Sequence, residues 1–246
     1  MSNKKKFITN SGDYKKYRLV YPDSILDIIK KHIRKFDNAL DVATGSGQLA
    51  IKLSEIFEEV DAVDYSQAQL DNAYLCDNIE YALASAEDLP FSNKSFDLVS
   101  IAQALHWVDR NMFFSEVKRL LKKEGVFLIV LYDLPKFNNK VDRLIEDFCF
   151  HTMKDYWGFD RKELLSHYID YDIPFELQER YTISDVKQYS KDDLIGLMKS
   201  WSVVSNFIDY NLYCPVDRIK DDIYSAWKGE EKYMDALINI HLLIYK

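Results

Sequence analysis

Residues 39–50 of the 246-residue chain read Ala39-Leu40-Asp41-Val42-Ala43-Thr44-Gly45-Ser46-Gly47-Gln48-Leu49-Ala50. The first five residues are apolar except for one carboxylate, which is typical of a buried strand, and two glycines follow in one turn. Apolar residues at helical spacing come next, within residues 49–57. The pattern predicts a strand, a glycine turn and a helix, the unit with which open α/β sheets hold nucleotide-like ligands.

Further strand and helix patterns follow at the spacing of a βαβ fold. They predict strands at residues 59–65, 79–84, 96–102 and 125–132, and a helix at residues 111–123 that ends at Gly125. Because strands and helices alternate, the predicted fold class is α/β, with a mostly parallel sheet covered on both faces. Such sheets bind their ligands at the carboxyl ends of the strands.

The rhythm changes after residue 132. Residues 138–156 and 161–168 have helical spacing, and residues 175–183 alternate as a strand does. A capping box predicts a helix from Ser190 to about residue 201, and a helix at 216–228 precedes a closing strand at 237–245. We expect a single domain over residues 1–246, in which the segment 1–36 and helical additions at about 134–174 and 185–234 form the substrate side.

The composition disfavours several classes of function. A net charge of -8 opposes binding to nucleic acid, and three widely separated cysteines suggest neither a disulfide framework nor a structural metal site. The longest apolar run, residues 126–132, is too short to span a bilayer, and no apolar stretch follows the basic residues 1–7. We therefore expect a cytoplasmic protein without nucleic-acid, membrane or metal partners, and the sequence leaves the oligomeric state open.

The glycine turn alone fits two cofactors, because its spacing also matches the dinucleotide pattern G-x-G-x-x-A. A pyrophosphate gains nothing from a nearby carboxylate, whereas the ammonium and sulfonium of S-adenosylmethionine are cations that Asp41 would attract. Asp64 lies 19 positions after Gly45, a spacing at which a carboxylate reaches ribose hydroxyls. Small residues around Ala86, before Glu87, leave space for an adenine ring.

Over roughly residues 14–132 the chain resembles the class I S-adenosylmethionine-dependent methyltransferases, and within them the methyltransferase type 11 group. The resemblance lies in LDVATGSG at 40–47, AVDYS at 62–66, AEDLPF at 86–91 and AQALHW at 102–107, in that order and spacing. YRLVYP at 17–22, together with residues 103–107, more narrowly resembles the trans-aconitate methyltransferase-like branch.

The resemblance implies a Rossmann-like seven-stranded sheet in the order 3-2-1-4-5-7-6, with strand 7 antiparallel and extra helices capping the cleft. It implies that the glycine turn holds the methionine part of the cofactor, Asp64 the ribose, and Ala86 with Glu87 the adenine edge. The cofactor-binding residues that we predict are Asp41, Ala43, Gly45, Gly47, Asp64, Tyr65, Ala86, Glu87 and Gln103.

Two residues near the end of the fourth predicted strand are candidates for catalysis. His106 is a candidate general base or a wall of the substrate pocket, and Gln103 could orient the substrate or satisfy a buried backbone group. Arg18 could pair with an acidic acceptor. The substrate-binding residues that we predict are Tyr17, Arg18, Tyr21, His106, Trp107 and Trp201.

The leading functional hypothesis is a methyltransferase that moves the methyl group of S-adenosylmethionine to a small-molecule oxygen, with a carboxylate among the acceptors considered. Nitrogen and carbon acceptors are less favoured. An NAD-dependent oxidoreductase is the main alternative, although Asp41 and the lack of a Tyr-x-x-x-Lys pattern disfavour it. A non-catalytic protein that only binds the cofactor is a third hypothesis.

Overall fold

The computed structural model describes residues 17–158, 165–227, 229 and 231–246. The basic residues 1–7, the first 16 residues of the segment 1–36, the start of the helix predicted at 161–168 and Lys228 lie outside the described residues. The chain divides into two compact units. The sheet unit contains the described residues within 19–132, 162–183 and 240–246, and the helical unit those within 1–18, 133–161 and 184–239.

Seven strands form one sheet in the order β3-β2-β1-β4-β5-β7-β6. Strands β1 to β5 pair in parallel, and β7 pairs antiparallel with β5, which confirms the predicted topology. The strands are β1 (Asn38–Val42), β2 (Glu59–Asp64), β3 (Ile79–Leu83), β4 (Phe96–Ala102), β5 (Leu121–Tyr132), β6 (Leu177–Tyr189) and β7 (Met234–Tyr245).

The sheet unit also contains four described helices. The helix after the glycine turn is shorter than predicted, because only four residues of the 49–57 pattern are helical and turns follow them. The helices are α1 (Ser24–His32), α2 (Ala50–Leu53), α3 (Gln67–Leu70) and α4 (Arg110–Leu120), and a short 3-10 helix covers Leu105–Trp107.

The prediction that Gly125 ends the helix before β5 is wrong. The helix α4 ends at Leu120, β5 begins at the next residue, and Gly125 lies inside β5. The register of β5 against β4 shifts between Phe96 and Leu98, so that β5 bulges at this point. A Cβ on Gly125 would lie 3.1 Å from the Phe96 carbonyl oxygen, which explains why a glycine occupies the bulge.

The core of the sheet unit lies between the central strands and α4. Nearly every residue of β4 and most of β5 are buried, as expected for parallel strands covered on both faces. Helix α4 buries Phe113, Val117 and Leu120 in this core, and Asp109 caps it by accepting a hydrogen bond from the Met112 backbone N–H at 3.2 Å. Parallel pairing places the carboxyl ends of β1 to β4 along one edge of this packed sheet.

In the helical unit, the helix Lys191–Lys199 begins as the sequence predicts. The Ser190 hydroxyl accepts from the Asp193 N–H at 3.1 Å, and the Asp193 carboxylate accepts from the Ser190 N–H at 3.0 Å. The predicted helix 190–201 breaks at Ser200 and Trp201, where a second helix starts. The helices of this unit are α5 (Asn139–Asp147), α6 (Lys191–Lys199), α7 (Ser202–Asn211) and α8 (Lys220–Ala226).

Within the described parts of the chain, no helix combines the length and the apolar character that crossing a bilayer requires.

Candidate active site

The candidate site is built on the carboxyl ends of β1 to β4, which share one edge because these strands are parallel. The residues directly after β1 and β4 are not glycine but have left-handed backbone conformations, Ala43 with φ 55° and Gln103 with φ 52°. Gly45 and Gly47 have φ 60° and 82°, which only glycine adopts without strain. Such conformations cluster at functional sites, and this is the point where the strand order reverses.

Asp41 is a buried carboxylate at the centre of this edge, with only 1% of its surface exposed. Its two oxygens accept hydrogen bonds from the hydroxyls of Thr44 at 2.6 Å and Ser100 at 2.8 Å. Burial raises the pKa of Asp41 to about 6, and the charge of Asp64 adds to the rise, while the two hydroxyls oppose it. The group is therefore a negative charge that is held at neutral pH and would be stabilised by a cation.

Asp64, at the end of β2, ties the glycine turn to the second strand. Its Oδ2 accepts from the Gly45 N–H and its Oδ1 from the Ser66 N–H, both at 2.9 Å. Burial raises the pKa of Asp64, and these backbone bonds oppose the rise. The backbone N–H groups of Gly45, Tyr65 and Ser66 do not use all four lone pairs of the carboxylate, so it can still accept from a ribose hydroxyl. Tyr65 follows it and is half-buried.

Ala86 and Glu87 lie in the loop after β3. Ala86 is buried, and the Glu87 carboxylate accepts from the Asp109 backbone N–H at 3.0 Å and from the Ser85 hydroxyl. Glu87 therefore links this loop to the start of α4. The adenine-binding role of Ala86 and Glu87 stays a prediction.

Gln103 joins the ends of β4 and β5. Its backbone N–H donates to the Val130 carbonyl at 2.9 Å, and its side-chain amide donates to the Tyr132 carbonyl at 2.7 Å. Of the two roles considered for this residue, the structure shows the satisfaction of a backbone group. These two bonds use the N–H groups of Gln103 and not its amide oxygen. The substrate-orienting role stays a prediction.

His106 forms a pair with Tyr168, a residue that the sequence analysis did not single out. Its Nδ1 lies 2.6 Å from the Tyr168 hydroxyl oxygen, and Tyr168 is 1% exposed. Tyr168 has φ 56° and the preceding residue, His167, has φ 50°. Two successive left-handed residues are strained, and here they place the phenol beside the imidazole.

A pocket of about 590 Å³ opens beside His106 within the sheet unit. Its lining includes three aspartates and one arginine, whose guanidinium lies 4.0 Å from the centre of the Tyr171 ring. The acids outnumber the base, so the pocket has a negative potential at neutral pH. The charged lining residues are Asp109, Arg110, Asp170 and Asp172.

The other residues predicted to bind substrate fall into two groups. In the sheet unit, Trp107 packs on His106 with ring centres 5.1 Å apart, and Tyr21 is buried. In the helical unit, the Tyr17 ring lies where a Cβ on Gly196 would be, and Trp201 is buried against Phe148. None of these contacts tests their substrate roles.

Arg18 belongs to the second group and binds a helix end. Its guanidinium donates to the Ser200 carbonyl at 2.8 Å, just after the last residue of α6. A cation at the carboxyl end of a helix is favourable for the helix dipole. Pairing of Arg18 with an acidic acceptor stays a prediction.

The hydrogen-bond partners of Asp41 and His106 were not predicted from the sequence. Ser100 pairs in register with Asp41 on the adjacent strand, a signal that the strand assignments could have given. Tyr168 lies 62 positions from His106 in an irregular segment, and no sequence pattern marks it. Tyr81, on β3, is a further missed residue, with its hydroxyl against Gly47.

The site fits S-adenosylmethionine better than a dinucleotide. The buried charge of Asp41 favours an ammonium and a sulfonium and disfavours a pyrophosphate. Among the described residues, three polar atoms around the glycine turn are buried without a hydrogen-bond partner, which is the state expected where a ligand completes the bonding. These atoms are Ser66 Oγ, Gln69 Oε1 and Tyr81 Oη.

Comparisons with known proteins agree with this geometry. The Methyltransf_11 family, described as a methyltransferase domain, matches residues 40–129. A provisionally named methyltransferase of Dictyostelium discoideum is 36% identical over 98% of this chain and 94% of its own length. A provisionally named S-adenosylmethionine-dependent methyltransferase of Saccharomyces cerevisiae is 28% identical over 74% of this chain and 67% of its own length.

A solved structure extends the similarity to the fold. The structure of a provisionally named type II methyltransferase from Anaeromyxobacter dehalogenans superposes with a TM-score of 0.80 and 28% identity, over 93% of this chain and 97% of that one.

Proposed function

The chain belongs to the S-adenosylmethionine-dependent methyltransferases, and from that membership we propose that it methylates an oxygen atom of a small molecule. The oxidoreductase hypothesis is not favoured by these relatives. The observation that carries the proposal is that His106 lines a pocket and lies in the 3-10 helix after β4, the strand that neighbours the cofactor edge at β1.

When bound, S-adenosylmethionine supplies an electrophilic methyl carbon, so the protein needs no nucleophile of its own. Asp41 and the glycine turn would hold the amino-acid part, and Asp64 the ribose, which fixes the direction of transfer. The pocket residues would hold the acceptor oxygen about 3 Å from the methyl carbon and exclude water from it.

The charge of the pocket favours some acceptor oxygens over others. Three aspartates against one arginine disfavour a carboxylate acceptor, and they suit a neutral or cationic molecule that carries a hydroxyl. We therefore propose a hydroxyl acceptor, with a carboxylate as the alternative that the experiment below distinguishes. The narrower resemblance to the trans-aconitate methyltransferase-like branch implies the carboxylate acceptor.

A hydroxyl acceptor must lose a proton, and we propose that His106 takes it. Because Nδ1 faces the Tyr168 hydroxyl, Nε2 is the nitrogen that would meet the acceptor. This role requires the neutral tautomer in which the Nδ1–H donates to the Tyr168 oxygen. Tyr168 would thus hold the ring and its tautomer.

The direct test uses deuteromethyl-labelled S-adenosylmethionine and a small-molecule extract, with mass spectrometry of the products. A labelled ether supports the proposal, and a labelled ester identifies a carboxylate acceptor and contradicts it. Labelled amines or carbon-methylated products would contradict it as well. The matched control is the Asp41→Asn variant, which keeps the shape of the site and removes the charge that attracts the cofactor.

With the acceptor identified, His106→Ala separates the base from the pocket wall. For a hydroxyl acceptor we expect the single-turnover rate to fall by about 10²-fold and to lose its dependence on pH. An unchanged rate would assign His106 to the pocket wall alone.

A further inference from the structure

Tyr81 shares one face of the sheet with Asp41. In the strand register Tyr81 of β3 pairs with Ala62 of β2, and Ala62 pairs with Asp41 of β1, so the three side chains point to the same side. The central position of this row is an alanine, whose small side chain leaves space for the Tyr81 ring to extend toward β1.

The Tyr81 hydroxyl ends at the glycine turn. A Cβ on Gly47 would lie 3.1 Å from Tyr81 Cζ and would overlap the hydroxyl oxygen, so a glycine is required there. This oxygen is buried and has no hydrogen-bond partner among the described residues. The Asp41 carboxylate accepts hydrogen bonds from Thr44 and Ser100 and makes none with this oxygen.

The hydroxyl is a donor at every pH at which the protein works. Burial raises the pKa of Tyr81, and the negative charge of Asp41 raises it further, so the phenol stays protonated. A buried donor of this kind requires an acceptor.

The amino-acid part of S-adenosylmethionine is a zwitterion, which needs an anion for its ammonium and a donor for its carboxylate. Asp41 provides the first, but by itself it would repel the carboxylate of the same ligand. We propose that the Tyr81 hydroxyl donates a hydrogen bond to the α-carboxylate of the cofactor. Tyr81 and Asp41 then recognise the two ends of the zwitterion from one face of the sheet.

The test compares four ligands by calorimetry on the whole chain, in the wild type and in Tyr81→Phe. S-Adenosylmethionine and S-adenosylhomocysteine carry the carboxylate. Decarboxylated S-adenosylmethionine keeps the ammonium alone, and 5′-methylthioadenosine lacks both groups. We expect Tyr81→Phe to lower the affinity for the first two ligands by about tenfold, which is the effect of losing a hydrogen bond to a charged group. The affinity for the last two should be unchanged.

Each other pattern overturns the inference. An equal loss of affinity for the decarboxylated cofactor would show that the Tyr81 hydroxyl acts at the ammonium. A loss of affinity for 5′-methylthioadenosine would show a general distortion of the turn. No weakening of any ligand would show that the hydroxyl has no part in binding. The two weak ligands are measured by competition against S-adenosylhomocysteine, so that each gives a value.

Tyr181→Phe is the matched control, since it removes one hydroxyl from β6, where the oxygen lies 2.9 Å from His32 Nε2. We expect unchanged affinity for all four ligands in this variant. Because these are binding measurements, their outcome is independent of which acceptor the enzyme methylates.

Discussion

Asp41 is a carboxylate whose protonation depends on what binds beside it. Its pKa of about 6 arises mainly from burial, and an ammonium at hydrogen-bond distance would favour the ionised form. We therefore expect the dissociation constant of S-adenosylhomocysteine to be constant above about pH 7 and to rise toward tenfold per unit below about pH 6.

The Asp41→Asn variant should bind more weakly at pH 7.5 and should lack this rise. Asp61→Asn is the control, because burial also raises the pKa of Asp61 to about 6, although the residue lies within β2 and away from the ligand edge. Calorimetry between pH 5 and 8 gives the dissociation constant of S-adenosylhomocysteine for the wild type and the two variants. A pH slope that persists in Asp41→Asn would assign the titration to another group.

The same carboxylate should destabilise the protein without ligand. Its pKa is about 6 in the folded protein and 3.8 as a free side chain, so the folded state binds more protons between these values. The free energy of unfolding therefore falls as the pH rises through this range. At pH 7 we expect Asp41→Asn to be more stable than the wild type by about 3 kcal/mol in urea, and most of this gain should be lost at pH 4. An equal gain at both values would show a cause other than ionisation.

Tyr168 should act through His106. If it fixes the ring and the tautomer, Tyr168→Phe lowers kcat by about tenfold, shifts the pH dependence of kcat and leaves the acceptor KM nearly unchanged. A double-mutant cycle is the check: in the absence of His106, removal of the Tyr168 hydroxyl should have no further effect on kcat. Additive losses would give Tyr168 a separate role.

At the scale of the element, the start of α6 depends on one side chain. The Ser190 hydroxyl accepts from the Asp193 N–H, and its loss leaves that donor of the first turn without its cap. We expect Ser190→Ala to lower the free energy of unfolding by about 1 kcal/mol. Ser225→Ala is the control, because that hydroxyl donates to the Asp221 carbonyl inside an exposed helix, and its removal should change stability little. Urea titrations compare the two.

The elements predicted well from the sequence are those determined by burial on both faces or by local capping. The strand β4 is buried on both faces, and its predicted bounds, 96–102, are those observed. Capping predicted the start of α6, since Ser190 and Asp193 are local neighbours. Helix ends were predicted less well: α4 stops five residues before Gly125, because the bulge against β4 requires the glycine inside the strand.

The site shows the same division between local and distant contacts. The positions of Asp41 and Asp64 follow from strand ends and from the spacing of the glycine turn. The His106–Tyr168 pair joins residues 62 positions apart through a left-handed segment, which no periodicity describes. The positions of the predicted cofactor residues could therefore be derived from the sequence, whereas their side-chain partners required coordinates.

At the scale of the whole molecule, ligand binding should be visible as stability. S-Adenosylhomocysteine at 100 times its dissociation constant adds about 2.7 kcal/mol to the free energy of unfolding. For a chain of this length that corresponds to a rise in Tm of about 5 to 10 °C. NAD at the same concentration should leave Tm unchanged, and a comparable rise with NAD would contradict the cofactor assignment.

The same experiment tests the expectation of a single domain. All the predicted cofactor residues lie in the sheet unit, whereas three of the four tryptophans, Trp157, Trp201 and Trp227, belong to the helical unit. If the chain unfolds as one cooperative domain, tryptophan fluorescence and calorimetry report one transition, and S-adenosylhomocysteine raises both readings equally. A fluorescence transition that stays in place while the calorimetric one moves would show that the helical unit unfolds on its own, since a ligand stabilises only the cooperative unit that holds it.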